Sequence, residues 1–318
     1  MIQASSLDDL PPPTERGAVT SVGVFDGVHL GHLAILAANR ARALELGARA
    51  TVVTFGSHPK AVLLGRAPRT LTSLEHRLEL FRRAGIEQTL VLHFDEALRS
   101  RSAESFVDED LIGRLGTRAF VLGFDSKFGA GRRGTPEFLR ARGHDVTVVP
   151  KVVVDGRAVS STAIREAVEL GDLAGAARML GRGVSVFGEV VHGDALGREL
   201  GFPTANLDLH HELHPPPGVY ACRVRSGRCA SVLSPSGADL PAVCNIGTRP
   251  TVTGGAPSVP RVEVHLLDFE GDLYGRSLEA EFVERLRDER RFSGPQELRE
   301  QIAKDVERAR SVLARARG

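Results

Sequence analysis

The sequence lacks the features typical of extracellular, membrane and nucleic-acid-binding proteins. Its three cysteines, Cys222, Cys229 and Cys244, are odd in number and form no CxxC pair, so they predict neither a disulfide framework nor a zinc site. No apolar run approaches a membrane span, and the opening MIQASSLDDLPPP has no apolar core of a secretory signal. With 41 Lys and Arg against 40 Asp and Glu, the net charge is +1, so the sequence lacks the excess positive charge typical of proteins that bind nucleic acids or membrane surfaces. These absences favour a cytoplasmic protein that binds any anion locally.

The composition is that of a globular protein large enough for two domains. Of the 318 residues, 42% are hydrophobic and 25% are charged, which is ordinary for a chain that buries a core. The sequence contains no internal repeat and no low-complexity segment. Its texture changes near Gly181–Gly183, which predicts domains at 1–182 and 183–318.

The first part alternates apolar runs with helical periodicities. The predicted strands are VTSVGVF, ATVVTF, QTLVLHF, RAFVLGF and VTVVPKVVV. This alternation predicts an α/β domain with a parallel sheet covered by helices. The apolar face of the first helix, which ends before Gly47, is predicted to consist of Leu33, Ala37, Ala41 and Leu44.

The second part has short segments, rich in β-branched residues and broken by Gly and Pro, from Val184 to about Val283. This texture predicts a compact antiparallel barrel or sandwich. A closing helix is predicted from about Pro295, with a capping box at Ser293 to Gln296. Its apolar stripe is predicted to be Leu298, Ile302, Val306, Ala309 and Leu313.

The stretch VGVFDGVHLGHLAIL, residues 22–36, leaves a predicted strand and enters a helix. Helix N-termini bind anions, and Gly27 and Gly31 let the backbone approach a ligand closely. His29 and His32, three residues apart, can donate to phosphate oxygens. Two other interpretations stay open: one histidine is a cap and the other a core filler, or the pair belongs to a zinc site, for which no further ligand has matching spacing.

GVFDGVHLGH resembles the HxGH signature of the nucleotidyltransferase superfamily, and with SSTAIR at 160–165 it is similar to the FMN adenylyltransferase half of bacterial bifunctional riboflavin kinase/FAD synthetases. The resemblance implies a Rossmann-like domain with His29, His32 and Arg165 as catalytic residues. It implies an ATP-phosphate site formed by Gly23, Phe25, Asp26, Gly27, Gly31, Ser161 and Thr162. Matching positions imply a flavin site formed by His58, Pro59, Asp125, Phe128 and Arg132.

This half departs from the family pattern at three positions. Ser57 replaces a proline that stiffens its loop, Ser126 stands where relatives commonly have an aromatic residue, and Ala163 stands where an arginine is often found. Adenylyl transfer needs charge neutralisation and alignment but no general base, because the phosphate of FMN is already an anion. The departures leave open an adenylyltransferase domain that is weak or inactive.

The stretch GEVVHGDALGRELGFPTANLDL, residues 188–209, places three glycines, Gly193, Gly197 and Gly201, before the Pro203-Thr204-Ala205-Asn206 run. Backbone N–H groups at glycines can face phosphate, and Thr204 and Asn206 offer the oxygen ligands that suit Mg²⁺. A bare turn would also explain the glycines. GRELGFPTAN resembles the riboflavin kinase signature, and GVYACRV, NIGTRPT and VEVHLLDFEGDLYG follow in the family's order.

Phosphorylating the terminal ribityl hydroxyl of riboflavin removes a proton, so the reaction calls for a carboxylate base. The resemblance assigns this role to Glu263, and strand alternation turns Glu263 to the same face as His265. An outward-facing strand glutamate remains the alternative. The sequence therefore predicts an enzyme that uses ATP and Mg²⁺ to make FMN from riboflavin and FAD from FMN. A kinase with a silent first domain and a non-catalytic flavin-binding protein stay open, and the oligomeric state is not predicted.

Overall fold

A computed structural model describes the fold. It describes the whole chain except residues 11, 13–14, 60–61, 63–64, 66–67, 194–195, 210–211, 227–238, 249–259 and 317–318. The chain forms two compact units, Met1–Thr70 with Arg77–Ser161, and Leu71–His76 with Thr162–Gly318. The segment Leu71–His76 thus groups with the second unit, and so do the residues from 162 to 182. A functional boundary at residue 182 stays a prediction.

The first unit contains a parallel six-stranded sheet in the order β1-β4-β3-β2-β5-β6. Its elements are β1 (Ile2–Ala4), β2 (Ala18–Val22), α1 (Leu30–Glu45), β3 (Arg49–Phe55), α2 (Leu74–Arg83, in this unit from Arg77), β4 (Gln88–Leu92), α3 (Glu96–Ser100), α4 (Ala103–Ser105), a π-helix (Phe106–Arg114), β5 (Thr117–Gly123), a 3-10 turn (Ala130–Arg132), α5 (Pro136–Ala141), β6 (Val146–Val149) and the hairpin β7 (Val153–Val154) and β8 (Arg157–Ala158). The predicted parallel sheet is confirmed. Because parallel strands end at one edge, the loops after β2 and β5 meet there.

The predicted apolar face of α1 is wrong. Leu44 is 85% exposed, and the helix instead buries Leu36, Asn39 and Ala43. Asn39 is fully buried because its side-chain N–H group donates to acceptors on β2 and β3, among them the Val19 carbonyl at 3.0 Å. These hydrogen bonds allow a polar side chain to occupy a buried position of the helix, where the sequence pattern predicts an apolar one.

The second unit contains a closed antiparallel barrel in the order β10-β13-β12-β11-β14-β9. Its elements are α6 (Ser161–Glu169, in this unit from Thr162), α7 (Leu173–Leu180), β9 (Val184–Val191), α8 (Leu196–Glu199), β10 (Ala205–Asp208), β11 (Gly218–Ser226), β12 (Leu240–Thr248), β13 (Pro260–Leu266), β14 (Ser277–Arg287) and α9 (Pro295–Arg315). The barrel and the closing helix are confirmed, and a sandwich is excluded.

Helix α9 covers the barrel with Ala309, Val312 and Leu313, which pack against β11, β12 and β14. Leu298 and Ile302, nearer its start, line a cavity instead. The predicted capping box between Ser293 and Gln296 is wrong. Ser293 instead donates through both its backbone N–H and its hydroxyl to the carboxylate of Glu297.

Two of the three cysteines lie in the barrel core. Cys222 on β11 and Cys244 on β12 are buried thiols, whereas Cys229 lies outside the described residues. The end of NIGTRPT, from residue 249, also lies outside them. Within the part of the chain that the structure describes, no helix is both long enough and apolar enough to span a membrane.

Candidate active sites

The first unit has a cavity of about 460 Å³ at the edge where its strands end. Both motif histidines line it, together with the loop after β5 and the start of α6. The lining includes the side chains of Phe25, His29, His32, Phe124, Asp125, Ser126, Lys151 and Ser161. Two imidazoles, a lysine and the N-terminus of a 16-residue helix give this cavity the character of an anion site.

The loop between β2 and α1 is strained where it enters this cavity. Phe25 and Val28 have φ values of 54° and 39°, and Gly27 has a φ of 83°. A positive φ is rare for any side chain and is costly for a β-branched residue such as Val28. Strain of this kind persists only where neighbouring contacts hold it, and it is common at functional sites.

His29 and His32 form a stacked pair at the start of α1. Their ring centroids are 3.6 Å apart and their planes differ by 14°. His29 is also the N-cap of α1, because its Nδ1 accepts the backbone N–H of His32 at 3.3 Å. One of the open interpretations, a histidine cap, is therefore present, and both rings still line the cavity. Gly31 leaves room for this ring, since a Cβ there would lie 3.2 Å from Cε1 of His29.

The SSTAIR motif is hydrogen-bonded through Ser161 to the loop between β2 and α1. Ser161 donates its hydroxyl to the carbonyl of Asp26 at 3.0 Å, within the first unit. Thr162 and Arg165 follow on α6 and belong to the second unit, so their contact with ATP phosphates stays a prediction. Ala163 is buried in the packing of α6.

The predicted flavin residues do not all gather at this cavity. Asp125 lines it, whereas Phe128 is 8% exposed and packs in the core with its ring 5.8 Å from that of Phe106. Arg132 is exposed in the 3-10 turn with a φ of 60°, and His58 and Pro59 are half-buried outside the lining.

Sequence reasoning missed Phe124, which lines the cavity and is 52% exposed. It also missed Lys151, another lining residue. The signal for Phe124 was present in the GFDSKFG stretch, where this aromatic side chain precedes Asp125.

The barrel has a cavity of about 300 Å³ that contains Glu263. Asn206 and Asn245 lie directly opposite Glu263 on the two neighbouring strands, β10 and β12. Since opposite residues in an antiparallel pair point to the same face, all three side chains enter one space. Thr204 and His265 line it too. Glu263 therefore faces this cavity on the outer side of the barrel, whereas its strand neighbours Val262 and Val264 are buried in the barrel core.

The loop before β10 is fixed by its contacts with the barrel. His265 has its Nδ1 2.8 Å from the carbonyl of Pro203, and because a carbonyl only accepts, this nitrogen carries the proton. A Cβ at Gly193 would lie 2.0 Å from Nδ2 of Asn206, and a Cβ at Gly197 would lie 2.5 Å from the Phe202 carbonyl. Gly201 has a φ of 86°, which favours glycine. The three predicted glycines thus permit close packing of this loop.

Asn206 also has a property that fits a cation ligand. Its Oδ1 is buried and has no hydrogen-bond partner among the described residues. Buried polar oxygens are almost always satisfied, so an unsatisfied amide oxygen beside Thr204 and Glu263 fits a hard divalent cation.

A second barrel cavity, of about 530 Å³, lies on the other side of the same loop. Thr204 lines both cavities. Arg198, Asp272 and Tyr274 line the second one, and the ring of Tyr274 stacks on His192 with a centroid distance of 4.0 Å. Asp272 belongs to the VEVHLLDFEGDLYG segment, and its place in this lining was not predicted.

Comparison with known proteins covers both halves of the chain. The FAD synthetase family profile matches residues 12–163, and the riboflavin kinase profile matches residues 180–313. The bifunctional riboflavin kinase/FMN adenylyltransferase of Pseudomonas fluorescens is 41% identical over 312 residues, 95% of each chain. That of Bacillus subtilis is 37% identical over 299 residues, 92% of this chain and 91% of its own.

The fold agrees with a solved structure over the same length. A crystal structure described as a macrolide-efflux protein from Streptococcus pneumoniae has a TM-score of 0.78 at 30% identity and covers 97% of this chain and 98% of its own. The two profiles follow the order of the two cavities along the chain, and the curated relatives match nearly end to end. The chain therefore belongs to the bifunctional riboflavin kinase/FMN adenylyltransferase family, whose members make FMN and FAD.

Proposed function

We propose that the two reactions take place in separate cavities, adenylyl transfer in the domain at 1–182 and phosphorylation in the domain at 183–318. The observation that carries this assignment is the difference between the two linings. The barrel cavity places a carboxylate, Glu263, beside the amide and hydroxyl oxygens of Asn206 and Thr204. The first cavity is lined instead by the imidazoles of His29 and His32. The carboxylate beside oxygen ligands suits the removal of a proton from an alcohol next to a bound cation. The imidazole pair at a helix N-terminus suits the binding of phosphate charge, which is what adenylyl transfer to an existing anion requires.

In the barrel, the terminal ribityl hydroxyl of riboflavin attacks the γ-phosphorus of ATP. Glu263 takes the hydroxyl proton, the bond from the γ-phosphorus to its bridging oxygen breaks, and ADP leaves. Apolar side chains such as Phe202, Leu298 and Ile302 line the same cavity and suit the flavin ring. ATP would then occupy the neighbouring cavity, with its reacting phosphate near Thr204, which lines both.

Thr204 and Asn206 would hold Mg²⁺, a role that fits the buried, unsatisfied Oδ1 of Asn206. When bound there, Mg²⁺ would neutralise charge on the phosphates of ATP. His265 supports this site from behind by donating to the carbonyl of Pro203.

In the first unit, a phosphate oxygen of FMN attacks the α-phosphorus of a second ATP. The bond from the α-phosphorus to the bridging oxygen breaks, pyrophosphate leaves, and FAD forms with no proton to remove. His29, His32 and the N–H groups at the start of α1 bind the phosphate charge and align it. Ser161 would extend this site, with Asp125 on the flavin side. The family resemblance predicts phosphate-binding roles for Thr162 and Arg165. Because ATP is the co-substrate of both steps, we also propose a cytoplasmic location.

Two variants test the assignment. Glu263→Gln is expected to lower FMN formation from riboflavin by about 100-fold or more while FAD formation from supplied FMN continues. His32→Ala is expected to do the reverse. The matched controls are Glu284→Gln, at a half-exposed side chain, and His93→Ala, at an exposed one. Products are separated by chromatography, and the assignment fails if either site variant loses both activities while folded.

A further inference from the structure

The strained loop before α1 is held by a buried arginine on another element. Arg77, on α2, is 4% exposed. Its Nη1 donates to the carbonyl of Val24 at 2.6 Å, and its Nη2 donates to the carbonyl of Phe55 at 3.1 Å. Val24 directly precedes the strained Phe25, and Phe55 is the last residue of β3. One guanidinium therefore joins the exits of two neighbouring parallel strands.

The Val24 carbonyl also accepts a hydrogen bond from a second side chain. The hydroxyl of Thr54 also donates to the Val24 carbonyl, at 3.2 Å, and lies 3.4 Å from Nη1 of Arg77. Thr54 is fully buried. Two buried donors on one carbonyl, one of them charged, form a strong anchor because charge-assisted hydrogen bonds are stronger than neutral ones.

The anchor continues to the motif histidines through aromatic contacts. Phe81 lies one turn after Arg77 on the same face of α2, and its ring contacts the ring of Phe25 edge-on at 5.5 Å. The ring of Phe25 contacts His32 at 5.1 Å, and His32 stacks on His29. The face of α2 formed by Arg77 and Phe81 thus fixes Val24 and Phe25, and Phe25 supports the imidazole pair from behind.

We propose that Arg77 is a positioning residue for adenylyl transfer, which holds the strained Val24–Phe25 segment so that His29 and His32 keep their place in the cavity. Arg77 does not line the cavity and acts through the backbone. The planar guanidinium is needed because it donates from two nitrogens to carbonyls on different strands, a geometry that the single ammonium of lysine does not reproduce.

The test compares Arg77→Met and Arg77→Lys in the full chain. Arg77→Met removes both hydrogen bonds and is expected to lower kcat for FAD formation from FMN by about 100-fold, since a small misplacement of aligned groups costs a factor of this size. KM for FMN is expected to change less than threefold. Arg77→Lys is expected to lose about 10-fold in kcat. Riboflavin phosphorylation by the same preparations is expected to be unchanged.

The matched control is Arg118→Met. Arg118 also donates to two backbone carbonyls of separate segments, those of Arg16 and Leu46 at 3.3 and 3.1 Å, but at the opposite edge of the sheet. Activities are measured well below the unfolding temperature of each variant and are normalised to the folded fraction from circular dichroism. The proposal is overturned if folded Arg77→Met keeps kcat within twofold, if only KM changes, or if Arg118→Met loses as much.

Thr54→Val decides the matter if neither Arg77 variant folds. It removes one donor to the Val24 carbonyl at nearly constant volume and is expected to lower kcat of FAD formation about threefold to 10-fold, with no effect on the kinase. An unchanged kcat in Thr54→Val would overturn the proposal.

The inference rests on the proposed role of His29 and His32, so a second readout separates the two. NMR signals of the two imidazole rings, assigned with His29→Gln and His32→Gln, are expected to shift in Arg77→Lys and Thr54→Val but not in Arg118→Met. Unshifted rings would overturn the positioning role even if activity fell. If the rings shift and His32→Ala still makes FAD, the proposed function fails and the structural link stands.

Discussion

The imidazole Nδ1 of His76 lies 3.0 Å from Oε1 of Glu212, and both side chains are completely buried. On the other side of the ring, Nε2 lies 3.3 Å from Oε1 of Glu279. Glu212 also accepts the backbone N–H of Phe187, and Glu279 accepts the hydroxyl of Ser185 and lies 3.9 Å from Arg225. All of these residues belong to the second unit, so the segment Leu71–His76 contributes the imidazole of a buried charged network in that unit.

This network makes the stability of the second unit depend on pH. Burial alone would lower the pKa of His76, but the carboxylates of Glu212 and Glu279 outweigh it and raise the pKa from 6.5 to about 9. Because the folded pKa is above the unfolded one, the stabilisation is complete below about pH 6.5 and is lost as pH rises through 9. We expect the free energy of unfolding to fall by about 3 kcal/mol across that interval.

Urea unfolding at pH 6.5 and 9.5 measures this effect. The chain has no tryptophan, and its two tyrosines, Tyr220 and Tyr274, both lie in the second unit, so tyrosine fluorescence reports this unit alone. His76→Gln is expected to be less stable at pH 6.5 and to lose the pH dependence, whereas exposed His93→Gln is expected to keep it. An equal slope with pH in wild type and His76→Gln would contradict the prediction.

The unsatisfied oxygen of Asn206 leads to a prediction about Mg²⁺. Asn206→Ala removes that oxygen, and Gly193→Ala places a Cβ 2.0 Å from Nδ2 of Asn206 and displaces the side chain. Both variants are expected to raise the Mg²⁺ concentration needed for half-maximal FMN formation about 10-fold or more, with FAD formation from FMN unaffected. Asn206→Asp keeps an oxygen and is expected to stay close to wild type. A Mg²⁺ curve that is unchanged in Asn206→Ala would rule out this ligand.

A buried ion pair fixes α9 to the end of β14 beside the cavity proposed for the kinase reaction. Arg287 donates from Nε and Nη2 to Asp305 at 3.0 and 2.8 Å, and Gln301 donates to the same carboxylate. Asp305 is 4% exposed, so Asp305→Asn leaves the guanidinium without its counter-charge and is expected to cost about 3 kcal/mol of stability. Because Leu298 and Ile302 on the same helix line the cavity, KM for riboflavin is expected to rise as well.

Tyrosine-monitored urea unfolding and kinase kinetics check the Asp305 prediction. Glu300→Gln, an exposed change on the same helix, is the matched control. If Asp305→Asn unfolds at the same urea concentration as Glu300→Gln, the ion pair does not stabilise the unit.

Much of this architecture could be predicted from the sequence, because alternation and motifs have direct physical causes. The strand pattern RVEVHLLDF correctly turned Glu263 and His265 to one face, and the HxGH stretch does begin a helix at a strand exit. What could not be predicted depends on contacts between distant segments. Asn39 is buried only because strands β2 and β3 supply its acceptors. The sequence around Arg77 does not distinguish it from other polar helix residues, because its acceptors Val24 and Phe55 lie on distant segments that only the fold brings together.

In the cavity proposed for adenylyl transfer, we expect Phe124 to supply the aromatic surface that Ser126 lacks. Both residues line it, and the 52% exposure of Phe124 is high for a phenylalanine that packs only within its own chain. Phe124→Ala is expected to raise KM for FMN about fivefold, equivalent to about 1 kcal/mol of ring contact, and Ser126→Phe is expected to lower it by a similar factor. Phe124→Leu keeps apolar area without a ring, and its KM for FMN is expected to lie between those of wild type and Phe124→Ala. The rate of FAD formation at varied FMN gives these values, and the KM for riboflavin in the kinase reaction is the internal control. A KM for FMN that Phe124→Ala leaves unchanged would mean that the flavin ring does not lie on this side chain.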